Sequence, residues 1–278
     1  MRPGAFEAVL ALGLLGTQAQ AHGRHIHIGN DGRERPGPTA AQLVPLLDTF
    51  AHADPLVCEL AVNAVLSGVY LNLAPGEEPS ARAWTDALSG SVTAADAVAL
   101  LVGHLADANG CIRRLSAEML GRSDSPEALA RLRMALGAAK AEERQAAALG
   151  LGERGEAVSR EPLEHALKDA DASVAATSAW ALGEIADIRS LPVLLQAARH
   201  PVARVRRAAV NSLGNFEDGR TQAVLVESLR DADADVRREA AAALSEGEVT
   251  PAVQRALRAA LADASPDVRR EAAQALGR

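Results

Sequence analysis

The chain has 278 residues, of which 48% are hydrophobic and only 2% aromatic, so its core must be built mainly from Ala, Leu and Val. The formal net charge of −7 makes nucleic acid and anionic membranes unfavourable partners.

The first 21 residues have the layout of a secretory signal peptide. Arg2 precedes an apolar run over residues 8–16, and Ala19-Gln20-Ala21 is a small-x-small cleavage site. The run is shorter than the roughly 18 residues that a membrane-spanning helix needs. We therefore expect a bacterial protein that is periplasmic or secreted, cleaved after Ala21 and not inserted in the membrane afterwards. The alternative is an N-terminal helix that frays.

Residues 22–38 contain Gly, Pro and charge without periodicity, which predicts a flexible tail. The tail carries His22, His25 and His27, and an N-terminal His would offer copper its amine and its ring together. These three side chains are the candidate metal site, and the alternative is that they belong to a disordered tail without a metal. No other cofactor is expected.

The first predicted helix begins at Thr39 as its N-cap, and a second follows over residues 55–66. The helical pattern then breaks at Gly, Pro and Glu residues, which predicts an insertion over about 67–92. Insertions in repeat arrays often lie on a binding face. Tyr70 and Trp84 of the insertion are therefore candidate partner-binding residues, unless they fold it back onto the first repeats.

The rest of the chain repeats itself about every 31 residues. Similar stretches open at residues 105, 136, 167, 198, 229 and 261, and a degenerate copy opens at Phe50. A fixed period of this size is typical of a stacked array of supersecondary units. We predict an all-α fold, a right-handed α-solenoid of about seven helical hairpins over residues 39–278.

Each repeat predicts two helices with recognisable ends. Ser125-Pro126 and Thr250-Pro251 are N-cap residues followed by a proline in the first helical position. The second helices start near a carboxylate such as Asp235, which suits the positive helix end. Their last position is a glycine, which predicts a left-handed cap. These glycines are Gly121, Gly152, Gly183, Gly214 and Gly277.

One face of each second helix is apolar and predicts core, as Val268, Ala272 and Ala275 illustrate. On the opposite face, two positions four residues apart form a row along the array. Second helices usually line the concave, ligand-binding surface of such arrays. The row reads Glu59/Asn63, Arg114/Glu118, Gln145/Leu149, Ala176/Trp180, Arg207/Asn211, Arg238/Ala242 and Arg270/Gln274.

Trp180 is the most unusual residue of this row. A Trp among Ala and Arg residues, with Leu149 one repeat earlier, has the composition of a binding hot spot. The alternative is that the Trp packs over its Ala-rich neighbours. We predict a partner-binding surface centred on this pair. Its flanking members are Arg114, Glu118, Arg207, Asn211 and Arg238.

The only two cysteines, Cys58 and Cys111, lie at the start of the second helix in the first and second repeats. Neighbouring helices pack roughly 10 Å apart, so an oxidising compartment could join them in a disulfide. Because their positions within the repeat differ by two residues, two buried free thiols are the alternative.

The unit Leu-x-Asp…Val-Arg-x-x-Ala-x-x-x-Leu-Gly resembles HEAT repeats, in particular the short PBS-lyase HEAT-like repeats, over about residues 39–278. The resemblance implies a structural ladder between the Asp of one turn and the Arg of a neighbouring second helix. His52 and His200 replace the Asp in two repeats. The ladder residues would be Asp107, Asp169, Asp231 and Asp263 with Arg113, Arg144, Arg206, Arg237 and Arg269.

Some proteins with such repeats are enzymes, but this chain lacks their signatures. Deoxyhypusine hydroxylases bind two irons through His-Glu pairs, and no His-Glu dipeptide occurs here. Relatives that attach bilin pigments act inside photosynthetic cells, out of reach of an exported protein. No His-Glu-x-x-His, Gly-x-Ser-x-Gly or phosphate-binding loop occurs either. A divergent lyase or hydroxylase-like enzyme is therefore disfavoured, and no catalytic residue is predicted.

The sequence thus predicts an exported, non-enzymatic scaffold or adaptor that binds another protein. A copper-handling envelope protein that uses the N-terminal histidines is the alternative. The array ends at Arg278 without a polar capping helix, which terminal repeats normally need. We therefore also expect self-association, or partner docking, through the C-terminal repeat.

Overall fold

The computed structural model describes residues 37–52, 91–247 and 250–277. These residues form thirteen α-helices and no strand, which confirms the all-α prediction. Three short 3-10 helices adjoin them, at His104–Ala106, Ala157–Ser159 and Ile188–Ser190. The helices are α1 Ala40–Ala51, α2 Ala95–Gly103, α3 Gly110–Gly121, α4 Pro126–Ala135, α5 Ala141–Arg154, α6 Arg160–Ala166, α7 Ala172–Ile185, α8 Leu191–Ala197, α9 Ala203–Leu213, α10 Gly219–Ser228, α11 Ala234–Glu246, α12 Pro251–Ala260 and α13 Pro266–Leu276.

From α2 onwards the helices pair as consecutive hairpins, and each first helix packs on the second helix that follows it. The second helices, α3, α5, α7, α9, α11 and α13, also pack on one another in chain order. Contacts therefore join each repeat mainly to its neighbours, which is the architecture of an α-solenoid. The predicted solenoid is confirmed.

The helix starts follow the predicted capping chemistry. The Oγ of Ser125 accepts a hydrogen bond from the amide of Ala128, and Thr250 does the same for Val253. The amide of Thr39 donates to Oε1 of Gln42 at 2.9 Å. Because these contacts satisfy backbone groups at the helix start, they fix where each helix begins.

The core is a continuous stack of small and branched aliphatic side chains. Every second helix except α5, which has Glu143 at that position, contributes a Val or Ile near its start, and each has a Leu near its end, such as Val174 and Leu182 in α7, both fully buried. Alanines such as Ala179 fill the space between them. Burying one Leu contributes about 2 kcal/mol, and the small alanines let the backbones approach closely.

The glycines at the ends of the second helices are not left-handed caps, so that prediction is wrong. Among the described residues φ is positive only at Gly155 (67°) and Ala186 (51°), which end α5 and α7. A Cβ built on Gly183 would lie 2.5 Å from Cβ and Oγ of Ser212 on α9, and one on Gly152 would lie 2.5 Å from Cζ3 of Trp180 on α7. Glycine is present here because the next second helix passes too close for a side chain.

The predicted ladder is present as a bidentate ion pair, which we call the clasp. In the first clasp, Nε and Nη2 of Arg144 donate to the two carboxylate oxygens of Asp169 at 2.7 and 2.8 Å. The remaining Nη1 donates to the carbonyls of Ala138 and Ala139 in its own turn. One Arg therefore ties its own turn to the turn of the next repeat. The clasps are Arg144–Asp169, Arg206–Asp231 and Arg237–Asp263.

Between the described repeats the clasp is missing at two interfaces, and the predicted ladder role of Arg113 is wrong. Residue 138, where the Asp of the next repeat would lie, is Ala. Arg113 therefore donates to the carbonyls of Asp107 and Ala108 in its own turn. Where Ala175 and His200 replace Arg and Asp, other hydrogen bonds join α7 to the next repeat. Ser212 Oγ donates to the carbonyl of Ala179 at 2.9 Å, and Asn215 Nδ2 donates to that of Gly183 at 3.1 Å.

Acid is expected to weaken the array through the clasps. Hydrogen bonds from Arg144 hold the pKa of Asp169 below its usual value, and those from Arg237 do the same for Asp263. Hydrogen bonds from Arg189 lower the pKa of Asp187 to about 2. Because unfolded Asp takes up its proton near pH 3.9, these contributions are fully present above about pH 4 and are lost as pH falls through the folded values.

Urea unfolding at several pH values measures this effect. We expect the midpoint to stay nearly constant between about pH 7 and 5 and to fall below about pH 4. A midpoint that rose on acidification below pH 4 would contradict it.

Candidate functional site

The row of second-helix positions runs along helices that pack on one another in chain order. Successive second helices approach each other at Gly and Ala contacts such as Gly121, whose added Cβ would lie 2.5 Å from the carbonyl oxygen of Gly150. The concave placement of the row stays a prediction from the usual arrangement of such arrays.

At the centre of the row, four side chains carry no formal charge. Leu149 and Trp180 are half-buried and pack against the core, and Gln145 is also half-buried, whereas Ala176 is buried. We call these four residues the central patch. The ring of Trp180 reaches over Gly152 of the preceding repeat. Trp180 therefore both packs on its small neighbours and keeps part of its ring in solvent.

The N-terminal flank of the patch is Arg114 and Glu118 on α3. Nε of Arg114 lies 2.6 Å from Oε1 of Glu118, and the side chain of Glu118 is only 6% exposed. The carboxylate of Glu118 is therefore held by the protein itself. Of this predicted pair, the side chain of Arg114 is the more exposed, at 38%.

The C-terminal flank is more exposed. The side chain of Arg207 is 48% exposed, and its Nη1 lies 3.9 Å from Oδ2 of Asp235. Asn211 is exposed and donates to Oε1 of Glu239 at 2.8 Å, and Arg238 pairs with the same Glu239 at 2.9 Å. This flank therefore contains the guanidinium groups of Arg207 and Arg238, and its carboxylate, Glu239, already interacts with both Asn211 and Arg238.

Sequence reasoning missed Arg204, which lies one turn before Arg207 on α9. Its Nη1 donates to Oγ of Ser173 on α7 at 2.6 Å. The predicted row contained only two positions per helix, so a third position on the same face was left out. The signal that could have found it is the spacing of three residues from Arg207, which places both on one helix face.

Several predicted sites lie outside the described residues. These are Tyr70 and Trp84 of the insertion, Cys58, and the candidate copper ligands His22, His25 and His27. The predicted signal peptide and insertion, and nearly all of the tail, also lie outside the described residues. Self-association through the C-terminal repeat stays a prediction. Within residues 37–52, 91–247 and 250–277, no three His, Cys, Asp or Glu side chains are grouped to hold a metal ion, and no helix could cross a membrane.

Cys111, at the start of α3, is disulfide-bonded. Its pairing with Cys58 stays a prediction, because Cys58 is not among the described residues.

Thiol titration tests the pairing. We expect the unfolded protein to react with no equivalent of a thiol reagent before reduction and with two after it, because an intramolecular bond uses both cysteines. Unreduced monomer that shows two reactive thiols would contradict the pairing, and a disulfide-linked dimer would show that the bond is intermolecular.

Comparison with known proteins agrees with this architecture. The family model for HEAT repeats matches residues 135–214, 160–245 and 223–278. These overlapping matches run from 135 to 278, just over half of the chain. No curated protein matches the chain.

Three solved structures illustrate the structural similarity. The Escherichia coli protein YibA is 20% identical, with a TM-score of 0.50 over 88% of this chain and 89% of its own. The complex of CpcE and CpcF of phycocyanin lyase from Nostoc is 27% identical, with a TM-score of 0.46 over 54% of this chain and 98% of that one. A designed armadillo repeat protein in complex with the peptide (KR)4 is 20% identical, with a TM-score of 0.47 over 65% and 98%. The likeness to YibA shows the fold alone.

Proposed function

The chain belongs to the HEAT-repeat family, and from that premise we propose that it is an exported, non-enzymatic scaffold that binds another protein along the row of its second helices. Helical repeat arrays use this surface for binding because it is long, continuous and built from positions that the fold does not need. The proposal leaves the partner's identity open.

The observation that carries the proposal is the central patch. Partly exposed Trp180 and Leu149 lie at the middle of the row, and charged residues flank them on both sides. Interfaces concentrate binding energy in such clusters, where an aromatic anchor is surrounded by polar residues that exclude water. Leu151 and Leu182 in the same two helices are fully buried, whereas Trp180 and Leu149 are not.

Export is supported by the N-terminal sequence and by the state of Cys111. The apolar run over residues 8–16 and Ala19-Gln20-Ala21 fit a cleaved signal peptide. Cys111 is disulfide-bonded, and such bonds persist mainly in oxidising compartments. Both features favour the periplasm or the exterior of a bacterial cell.

Co-purification with cross-linking from the envelope of the producing cells tests the binding role. The full chain is compared with a Trp180→Ala, Arg207→Ala variant and with an Arg131→Ala control. Arg131 lies on first helix α4, outside the row, and pairs with Glu127 at 3.4 Å. We expect one dominant partner on the full chain and the control, with at least a tenfold loss on the double variant.

Equal capture by all three proteins would contradict the role of the central patch. Thermal unfolding of the double variant should stay close to that of the full chain, so that loss of the partner reports binding rather than folding.

A further inference from the structure

Two guanidinium groups beside the central patch have spare hydrogen-bonding capacity. Arg204 donates to the hydroxyl of Ser173, and within the described parts of the chain it has no carboxylate partner within ion-pair distance. Arg207, one turn later, has Asp235 only at 3.9 Å. The clasp arginines, by contrast, each make two short bonds to one carboxylate, as Arg206 does to Asp231 at 2.8 Å. A guanidinium has five donor hydrogens, so most of those on Arg204 are free for a ligand.

The hydrogen bond from Arg204 to Ser173 brings positive charge towards the helix that carries the patch. Ser173 is in the first turn of α7, and Trp180 is two turns later on the same helix face. At 1.5 Å per residue, the guanidinium and the indole are separated by about 10 Å along the helix. The positive end of the α7 dipole adds to the charge near Ser173.

Negative charge lies at the other end of the same face. Glu184 follows Trp180 by one turn on α7, and Glu153 occupies the equivalent position on α5. Carboxylates also lie at the starts of the neighbouring second helices, at Glu142, Asp171 and Asp235, so positive charge on this face is local to Arg204 and Arg207. A ligand carboxylate therefore meets its charged hydrogen-bond donors at these two side chains.

We propose that the central patch takes a short acidic segment of a partner protein, with an apolar side chain on Leu149 and Trp180 and a carboxylate between Arg204 and Arg207. An extended chain spans about 10 Å in three residues, so the segment carries its Asp or Glu about three residues from its apolar anchor. This inference rests on the proposed function and adds the chemistry of the partner. A lysine at the same place would meet two guanidinium groups and be repelled.

The test uses the full mature chain and three labelled synthetic peptides in fluorescence anisotropy. Each peptide has one Leu anchor, with a Glu, a Gln or a Lys three residues away on both sides. We expect the Glu peptide to bind about tenfold or more tightly than the Gln peptide, because charge-assisted hydrogen bonds are the stronger kind. The affinity of the Glu peptide should also fall as salt rises.

Variants separate the two parts of the site. Arg204→Gln and Arg207→Gln should each weaken the Glu peptide several-fold and leave the Gln peptide unchanged. Trp180→Ala should weaken both peptides. Arg131→Gln, on first helix α4 and outside the row, is the control and should alter neither.

Equal binding of the three peptides, tightest binding of the Lys peptide, or no binding of the Glu peptide at about 1 mM would overturn the inference. None of these results removes the proposed function, which fails only if partner capture is independent of Trp180. Self-association of the chain that depends on Trp180 would also overturn the inference, by identifying the occupant as a second copy.

Discussion

Replacing Gly183 by Ala is expected to lower the free energy of unfolding by about 3 kcal/mol, the upper part of the range for overpacked cores. The new Cβ would lie 2.5 Å from Cβ and 2.8 Å from Cα of Ser212 on the next second helix. The Cα and Cβ of Ser212 cannot move aside without the backbone of α9, unlike the tip of a flexible side chain. The helices α7 and α9 must therefore move apart. Ser212 would then lose its bond to the carbonyl of Ala179 as well.

Gly103→Ala is the matched control for this change. Gly103 is also helical, at the end of α2, but an added Cβ would meet nothing within 4 Å. Ala is intrinsically favoured over Gly in a helix by about 0.8–1 kcal/mol, so the control should be neutral or stabilising. Denaturant unfolding measures both, and equal effects of the two substitutions would refute the close-contact explanation.

Asp169→Ala is expected to cost about 3 kcal/mol, the scale found when one partner of a buried ion pair is removed. The carboxylate accepts two bonds from Arg144 and one from the amide of Asp171. Both partners are largely shielded, with 13% of the Asp169 side chain and 19% of the Arg144 side chain exposed. Removing the carboxylate therefore leaves a guanidinium without its counter-charge at a repeat interface.

The exposed pair Arg199–Glu227 provides the comparison. It also joins adjacent repeats, but its side chains are 56% and 59% exposed. Exposed pairs contribute little because water and salt screen them, so Glu227→Ala should cost less than about 0.5 kcal/mol. If Glu227→Ala cost as much as Asp169→Ala, the clasp would be no more than an ordinary surface contact.

The fold could be predicted from the sequence because it depends on local signals that recur. The 31-residue period is visible along the chain, the caps at Ser125 and Thr250 recur in its units, and the resemblance to HEAT repeats implied the Arg and Asp of the clasp. Each repeat contacts mainly its neighbours, so one correctly interpreted unit determines the array. His200, in place of the Asp, marked one interface where the clasp is missing, whereas Arg113 was wrongly predicted to form one.

The role of the second-helix glycines could not be predicted in the same way. Gly183 follows a Leu near the end of a helical pattern, which is also the usual place of a left-handed cap. Only the distance to Ser212 in the next repeat decides between a cap and a close contact. That distance depends on how two repeats pack, which the sequence of one repeat does not contain.

The candidate site was predictable in position and less so in detail. Helical spacing placed Leu149 and Trp180 on one row, and the structure shows both partly exposed at its centre. The burial of Glu118 depends on how its neighbours pack, and the reach of Arg204 to Ser173 depends on the conformation of a long side chain. Neither follows from periodicity.

The central claim is that the row of second helices, and not the outer first helices, contacts the partner. A photo-reactive amino acid at Gln145, in the central patch, is compared with one at Met134 on first helix α4, whose side chain is 71% exposed. Irradiation in the producing cells should cross-link the partner from position 145 and not from position 134. Cross-linking of the partner from 134 alone would place the interface on the outer face and contradict the account.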